Sequence, residues 1–221
     1  MIKACIFDLD GTLLDTLASL HVRLCEKLQE YSVKPITKEQ TRRFVGDGAR
    51  QLVTRALDAD QSFSYTPEEL DKFHCDFVET YNANPFDLTV PYDGIEEMLK
   101  KLKECGMKLA VLSNKPDATT RQLCDKFFPG IFDVAFGARA GVALKPDAEG
   151  AFEILRLLGV SAEETAYFGD TAVDIATALN YGAGLNVGVL WGFRDEEDLV
   201  GCGATSLIKH PSEIIELLKT C

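Results

Sequence analysis

Ala4-Cys5-Ile6-Phe7-Asp8-Leu9-Asp10-Gly11-Thr12-Leu13-Leu14-Asp15 is the stretch whose reading decides the fold. Its unbroken apolar run predicts a strand buried on both faces, as in parallel sheets covered by helices. The run stops abruptly at two carboxylates, a glycine and a threonine. Strand alternation aims Asp8 and Asp10 the same way, with Leu9 opposed. Two like charges held that close repel unless a cation, a shared proton or a phosphate-bearing ligand neutralises them. Gly11 allows a turn or a close approach of backbone to a ligand, and Thr12 can cap the next segment or bind an anion. On these residues alone, a strand that ends in an acidic turn and a strand that ends in a reactive loop both stay open.

Outward from this stretch, the apolar period changes from that of a strand to that of a helix. Leu17, Leu20, Leu24 and Leu28 recur at helical spacing, and further helices are expected over 37–45, 49–57 and 67–81. Thr66-Pro67-Glu68-Glu69 supplies a capping residue, a proline at the first helical position and an acid at the third. No strand pattern occurs between residues 16 and 84, and Asn82-Ala83-Asn84-Pro85 reads as the return. From Pro91, strands expected at 108–112, 134–136, 165–168 and 187–191 alternate with helices, the last at about 212–218. The expectation is an α/β protein with a Rossmann-like parallel sheet core, residues 1–15 and 85–221, and an inserted all-helical cap, residues 16–84. Ligands in such sheets bind at the carboxyl ends of the strands.

Composition excludes several function classes. A chain of 221 residues can bury a sizeable core. Its formal charge of -12, with 35 acidic against 23 basic residues, argues against nucleic acid, which requires clustered Lys and Arg. Seven cysteines (Cys5, Cys25, Cys75, Cys105, Cys124, Cys202, Cys221) without a CxxC pair read as reduced thiols and not as a zinc site. His21, His74 and His210 lie too far apart in sequence to suggest a His-based metal site or triad. No signal peptide and no long apolar run are seen, so a soluble cytoplasmic protein without a membrane partner is expected, as a monomer or homodimer.

Three more polar clusters fall at expected strand ends. Ser113-Asn114-Lys115 offers a hydroxyl, an amide and backbone N–H groups ahead of a helix, which suits phosphate oxygens but also describes an ordinary turn. Lys145-Pro146-Asp147 opens the next helix, with Pro146 near its first position. An ammonium fixed there would relieve the Asp8/Asp10 repulsion, whereas the plainer reading is a solvated lysine. In Gly169-Asp170-Thr171-Ala172-Val173-Asp174, Asp170 ends a strand and Asp174 follows one helical turn later, so both carboxylates can face one ion.

Taken in order, Asp8-x-Asp10-Gly11-Thr12, Ser113, Lys145 and Gly169-Asp170 with Asp174 resemble the four motifs of the haloacid dehalogenase-like hydrolases, most of which are magnesium-dependent phosphatases. The resemblance implies Asp8 as nucleophile through an aspartyl-phosphate, and Asp10 as general acid and then base. It implies phosphate binding by Thr12, Ser113, Asn114 and Lys145, and Mg²⁺ held by Asp8, Asp10 and Asp170, with Asp174 as a further ligand, directly or through water. A haloalkanoic acid dehalogenase is disfavoured, because those enzymes lack the second Asp.

Val45-Gly46-Asp47-Gly48-Ala49-Arg50 with Arg55-Ala56-Leu57, Trp191-Gly192-Phe193-Arg194 and His210-Pro211-Ser212-Glu213 are similar to the phosphoglycolate phosphatase branch. That branch implies 2-phosphoglycolate, a small phosphorylated metabolite, as substrate, recognised in the cap by Gly46, Gly48, Arg50 and Arg55. A plain interhelical turn with surface charges is the alternative for those four. Pyrophosphatase, nucleotidase, sugar phosphatase or phosphomutase activity stays open on the same core. A phospho-acceptor receiver without turnover is a more distant alternative.

Overall fold

The structure is a computed structural model and describes residues 1–218. Two compact units emerge, Met1–Asp15 with Pro91–Cys221, and Thr16–Val90. The strands in chain order are β1 (Ala4–Phe7), β2 (Leu14–Asp15), β3 (Val90–Pro91), β4 (Lys108–Pro116), β5 (Val134–Ala138), β6 (Thr165–Gly169), β7 (Leu185–Val189) and β8 (Ser206–Ile208). Six of them form one sheet in the order β5-β4-β1-β6-β7-β8, every pairing parallel. β1 is central, with Phe7 opposite both Val111 of β4 and Phe168 of β6.

Alternation along β1 explains why all four of its residues are apolar and buried. Cys5 and Phe7 enter one core with Leu99, Leu102, Val111, Leu123, Phe168 and Ile214. Ala4 and Ile6 enter the opposite one with Leu112, Ile154, Leu155, Tyr167 and Ala178. The first face is covered by α5 (Ile95–Glu104), α6 (Asp117–Phe127) and α10 (Glu213–Leu218), the second by α7 (Glu149–Leu158) and α8 (Ala172–Tyr181). Each fully buried Leu, Ile or Phe contributes roughly 1.5–3 kcal/mol. The sheet is thus a rigid platform, and Phe7 and Phe168 stack across it with ring centroids 4.9 Å apart.

The second unit carries α1 (Leu17–Glu30), α2 (Lys38–Phe44), α3 (Ala49–Asp58) and α4 (Pro67–Ala83). Capping boxes start two of them, Thr37 with Gln40 and Thr66 with Glu69. Leu24, Leu28, Leu52, Val53, Leu57, Phe73 and Phe77 of these helices are buried. The unit extends to Val90, past the return expected after residue 84. Asp87 is the reason on this stretch: it pairs with Arg23 of α1 at 2.5 Å and ties the returning chain to the helices.

Other departures are local. β4 continues through Ser113, Asn114 and Lys115, which were expected beyond its end, with a register shift between Leu112 and Pro116. Pro146 precedes α7 by a turn, in which the Asp147 N–H donates to the Leu144 carbonyl at 2.9 Å, instead of opening that helix. β8 and α9 (Glu196–Gly201) had no counterpart among the expected elements. Cys5, Cys25, Cys75, Cys124 and Cys202 are free thiols, whereas Cys105 is disulfide-bonded and departs from the expectation of reduced cysteines. Cys221 lies outside the described residues. Among the described residues no helix is long and apolar enough to cross a membrane.

Candidate active site

Because the sheet is parallel, the carboxyl ends of β1, β4 and β6 open on the same edge, and the four polar clusters converge there. Asp8 directly follows β1, and its N–H still donates to the Phe168 carbonyl at 2.9 Å. Lys145 bridges the cluster, with Nζ 2.8 Å from Asp8 Oδ1 and 2.7 Å from Asp174 Oδ1. Asp8, Asp170 and Asp174 each present an oxygen within 4.8 Å of the other two, and all three are buried. Asp10 is held separately: Lys115 Nζ donates to its Oδ1 and Oδ2 at 3.0 and 3.1 Å.

Burial and crowding shape the electrostatics. Burial and the charge of Asp174 push the Asp8 carboxyl up to about 7, against the opposing pull of Lys145. Burial, then Asp174 and Asp8, push Asp170 well above the usual carboxylate range. Lys145 is buried too, which disfavours its charge, yet Asp174 and Asp8 outweigh this and keep the ammonium protonated far above its ordinary range.

Each carboxylate is aimed by neighbours. Thr12 Oγ1 donates to Asp170 Oδ1 at 2.9 Å and the Phe193 N–H to Asp170 Oδ2 at 2.8 Å. Trp191 Nε1 in turn donates to the Thr12 carbonyl at 2.9 Å. The loop reaches this close only because residue 192 is glycine: a Cβ there would lie 2.3 Å from Asp170 Cβ and 2.4 Å from the Gly11 carbonyl oxygen. Gly11 itself has φ +86°, and a Cβ on it would strike the Asp170 carboxylate at 2.3 Å.

Three candidates from the sequence have protein partners in the structure. Thr12 is buried and its hydroxyl donates to Asp170, so it orients that carboxylate. Asn114 clasps the Lys145 backbone, Nδ2 donating to its carbonyl at 3.0 Å and Oδ1 accepting its N–H at 2.8 Å. Its amide therefore positions the loop that carries the ammonium. Asp174 accepts from Lys145 and Tyr167 at Oδ1, and from the Thr171 N–H and hydroxyl at Oδ2. These bonds occupy its roughly four acceptor sites, so it anchors Lys145 and caps α8 while its carboxylate also belongs to the acidic triad with Asp8 and Asp170. Ser113 is buried at the cluster, its Oγ accepting the Lys115 N–H at 3.3 Å.

Lys115, Tyr167, Trp191 and Phe193 carried no assigned role in the sequence reading. For Lys115 a signal existed, since it lies two residues beyond Ser113 in the same polar cluster. Tyr167 was hidden in an apolar run, although its hydroxyl is 3.2 Å from both Lys145 Nζ and Asp174 Oδ1.

The helical unit positions its own candidates. Gly46 and Gly48 have φ of +125° and +86°, and Gly48 caps α3. Arg50 pairs with Asp71, half exposed. Arg55 pairs with Asp47 at 2.6 Å and donates to the Phe44 carbonyl at 2.8 Å.

The donor set fits a divalent cation. By formal charge the four carboxylates of Asp8, Asp10, Asp170 and Asp174 are matched by two ammonium groups, Lys115 and Lys145, among these six side chains. Carboxylate oxygens without His or Cys suit a hard ion. Asp8 and Asp170 retain acceptor capacity for it, as one bond reaches each Asp170 oxygen.

The comparisons with known proteins agree with this geometry. The family model for haloacid dehalogenase-like hydrolases matches residues 5–187. A phosphoglycolate phosphatase of Pseudomonas syringae pv. tomato is 33% identical over 177 residues, 80% of this chain and 65% of that protein, so the chain spans about two thirds of that relative's length. A phosphoglycolate phosphatase of Caulobacter vibrioides is 32% identical over 97% of this chain and 92% of its own. A crystal structure from Lactobacillus delbrueckii subsp. bulgaricus superposes with a TM-score of 0.93 at 33% identity, covering 98% of each chain. With a family match running from the first strand to the fifth strand of the main sheet by sequence, the chain belongs to the haloacid dehalogenase-like hydrolases, in their phosphoglycolate phosphatase-like branch.

Proposed function

We propose that the protein is a Mg²⁺-dependent phosphatase that hydrolyses a small phosphate monoester through a phosphoaspartate on Asp8. The observation that carries this reading is the contrast between two carboxylates two residues apart. Asp8 sits in a buried cluster against Lys145, and Asp10 sits on a different ammonium. Such a division assigns two roles to two chemically identical groups.

An Asp8 oxygen attacks phosphorus while the bond to the leaving oxygen breaks, and Asp10 delivers a proton to that oxygen. Water then attacks the phosphorus, Asp10 takes its proton, and the bond to Asp8 breaks to regenerate the carboxylate. Lys145 balances charge on Asp8 and on the transferring oxygens, held in place by Asp174 and Asn114. Ser113 offers its hydroxyl to a phosphoryl oxygen. Asp8 and Asp170 would hold the divalent ion, with Asp10 contributing its carbonyl, and when bound the ion supplies the positive charge that lets anionic phosphate approach.

2-Phosphoglycolate is the substrate this reading favours, supported by the names of the relatives, with Arg50 and Arg55 of the helical unit as the cations assigned to its carboxylate. Exposed ion pairs are worth only about 0–1 kcal/mol, so the partners of Arg50 and Arg55 do not preclude exchange for a ligand carboxylate. The test is phosphate release from 2-phosphoglycolate, a nucleoside monophosphate, pyrophosphate and a hexose phosphate, with Mg²⁺ and with EDTA. We expect the highest kcat/KM for 2-phosphoglycolate, selectively lowered by Arg50→Ala or Arg55→Ala, and no turnover for Asp8→Asn. A preference for nucleotides, or equal losses on every ester, refutes the substrate. Wild-type turnover by Asp8→Asn refutes the mechanism.

A further inference from the structure

Lys115 lies outside the buried carboxylate cluster, yet its side chain is only 3% exposed and its ammonium meets both oxygens of Asp10, itself 16% exposed. Burying a lysine there is unfavourable unless the pair has a fixed geometry. The backbone of the same residue donates to Ser113 Oγ. One residue thus ties together the hydroxyl read as holding the phosphoryl group and the carboxylate read as serving the leaving group. β4 makes this possible: it continues through Ser113–Pro116, which keeps both residues in the strand next to β1.

We propose that Lys115 is the positioning residue of Asp10, holding that carboxylate beside the place where Ser113 receives the phosphoryl group, so that it meets the leaving oxygen. The inference rests on the phosphatase reading above and concerns one step of it. A group that only protonates the leaving oxygen matters in proportion to how badly that oxygen needs the proton. Alkoxides are poor leaving groups and depend on Asp10, whereas 4-nitrophenolate leaves without help. General acid catalysis contributes typically ~10²–10⁴-fold, which bounds what mispositioning can remove.

The experiment measures kcat/KM, which reports the first phosphoryl transfer, for 2-phosphoglycolate or another primary alkyl phosphate and for 4-nitrophenyl phosphate. Wild type, Lys115→Met, Lys115→Gln, Asp10→Asn and the Asp10→Asn/Lys115→Met double variant are compared. We expect Lys115→Met to lose on the order of 30-fold or more on the alkyl ester and less than about threefold on the aryl ester, from the same general-acid range. The double variant should be no slower than Asp10→Asn alone, since the lysine acts through that carboxylate. Lys115→Gln, which keeps one donor, should fall between, and it carries the comparison if Lys115→Met does not fold. Equal losses on both esters, no loss on either, or additive losses in the double variant overturn the role of Lys115 and leave the phosphatase reading standing. A wild-type protein inert towards both esters overturns that reading and this inference with it.

Discussion

Replacing Asp170 by Asn should stabilise the metal-free protein while removing its response to Mg²⁺. Asp170 is fully buried, with oxygens of Asp8 and Asp174 no more than 4.8 Å away. At an effective dielectric of about 20, two unit charges at that separation would repel by roughly 3 kcal/mol, a cost that Lys145 offsets in part and that otherwise appears as the raised affinity of Asp8 and Asp170 for a proton. Asn has the same shape, and its bonds can be kept: the amide oxygen accepts from the Phe193 N–H, while the NH₂ donates to Thr12 Oγ1, which turns from donor to acceptor. The gain in EDTA should therefore be about 1–3 kcal/mol, or roughly 2–12 °C in Tm at about 2–4 °C per kcal/mol for a chain of this size. Wild-type protein at a Mg²⁺ concentration of about 100 Kd should gain close to 2.7 kcal/mol, and the variant little, because a carboxylate ligand is gone. Thermal unfolding of both proteins in EDTA and in Mg²⁺ reads all four values. A metal-free variant less stable than wild type that still rises with Mg²⁺ would refute the account of this cluster.

The pH dependence of metal-free stability follows from Asp8 and Asp170, both pushed upward by burial. A carboxyl whose folded pKa is raised stabilises the fold most below its ordinary range and loses that contribution as pH rises, for Asp8 through about 7. Tm in EDTA should therefore fall as pH rises from about 4 through about 7 and recover with Mg²⁺, whereas a flat profile would contradict the burial argument. Gly192→Ala should push the Trp191–Phe193 loop off Asp170, since the new methyl would meet Asp170 Cβ and the Gly11 carbonyl at 2.3 and 2.4 Å. Loss of such an orienting contact typically lowers metal affinity or activity about 10–100-fold, measurable as phosphate release against Mg²⁺ concentration.

The sheet was legible because its strands are short apolar runs, each ended by a chemically distinctive cluster. Asp8, Lys145 and Asp170 could be assigned from order alone, as parallel strands bring their ends together whatever lies between. Side-chain partners were less legible. Thr12 and Asn114 belong to residue types that suit phosphate, and nothing local reveals that one is committed to Asp170 and the other to the Lys145 backbone. Asp174 was read by helical spacing as facing an ion, a spacing that serves a lysine equally well. Lys115 was discounted because polar residues after an apolar run suggested that the strand had ended, whereas β4 continues to Pro116. The return at Val90 was missed for a similar reason, since an Arg23–Asp87 pair spans 64 positions and leaves no local pattern.

β2 and β3 pair at the two points where the chain leaves and re-enters the sheet unit, and the Tyr92 N–H donates to the Leu13 carbonyl at 3.2 Å. The two stumps of the inserted segment are thus already fastened together by backbone hydrogen bonds within the sheet unit. The insertion is topologically a detachable loop: a short turn from Asp15 to Val90 closes the polypeptide with every strand of the main sheet and the β2–β3 pair intact. Residues 16–89 should therefore be exchangeable by grafting, with the order of the strands and the residues at their ends unchanged.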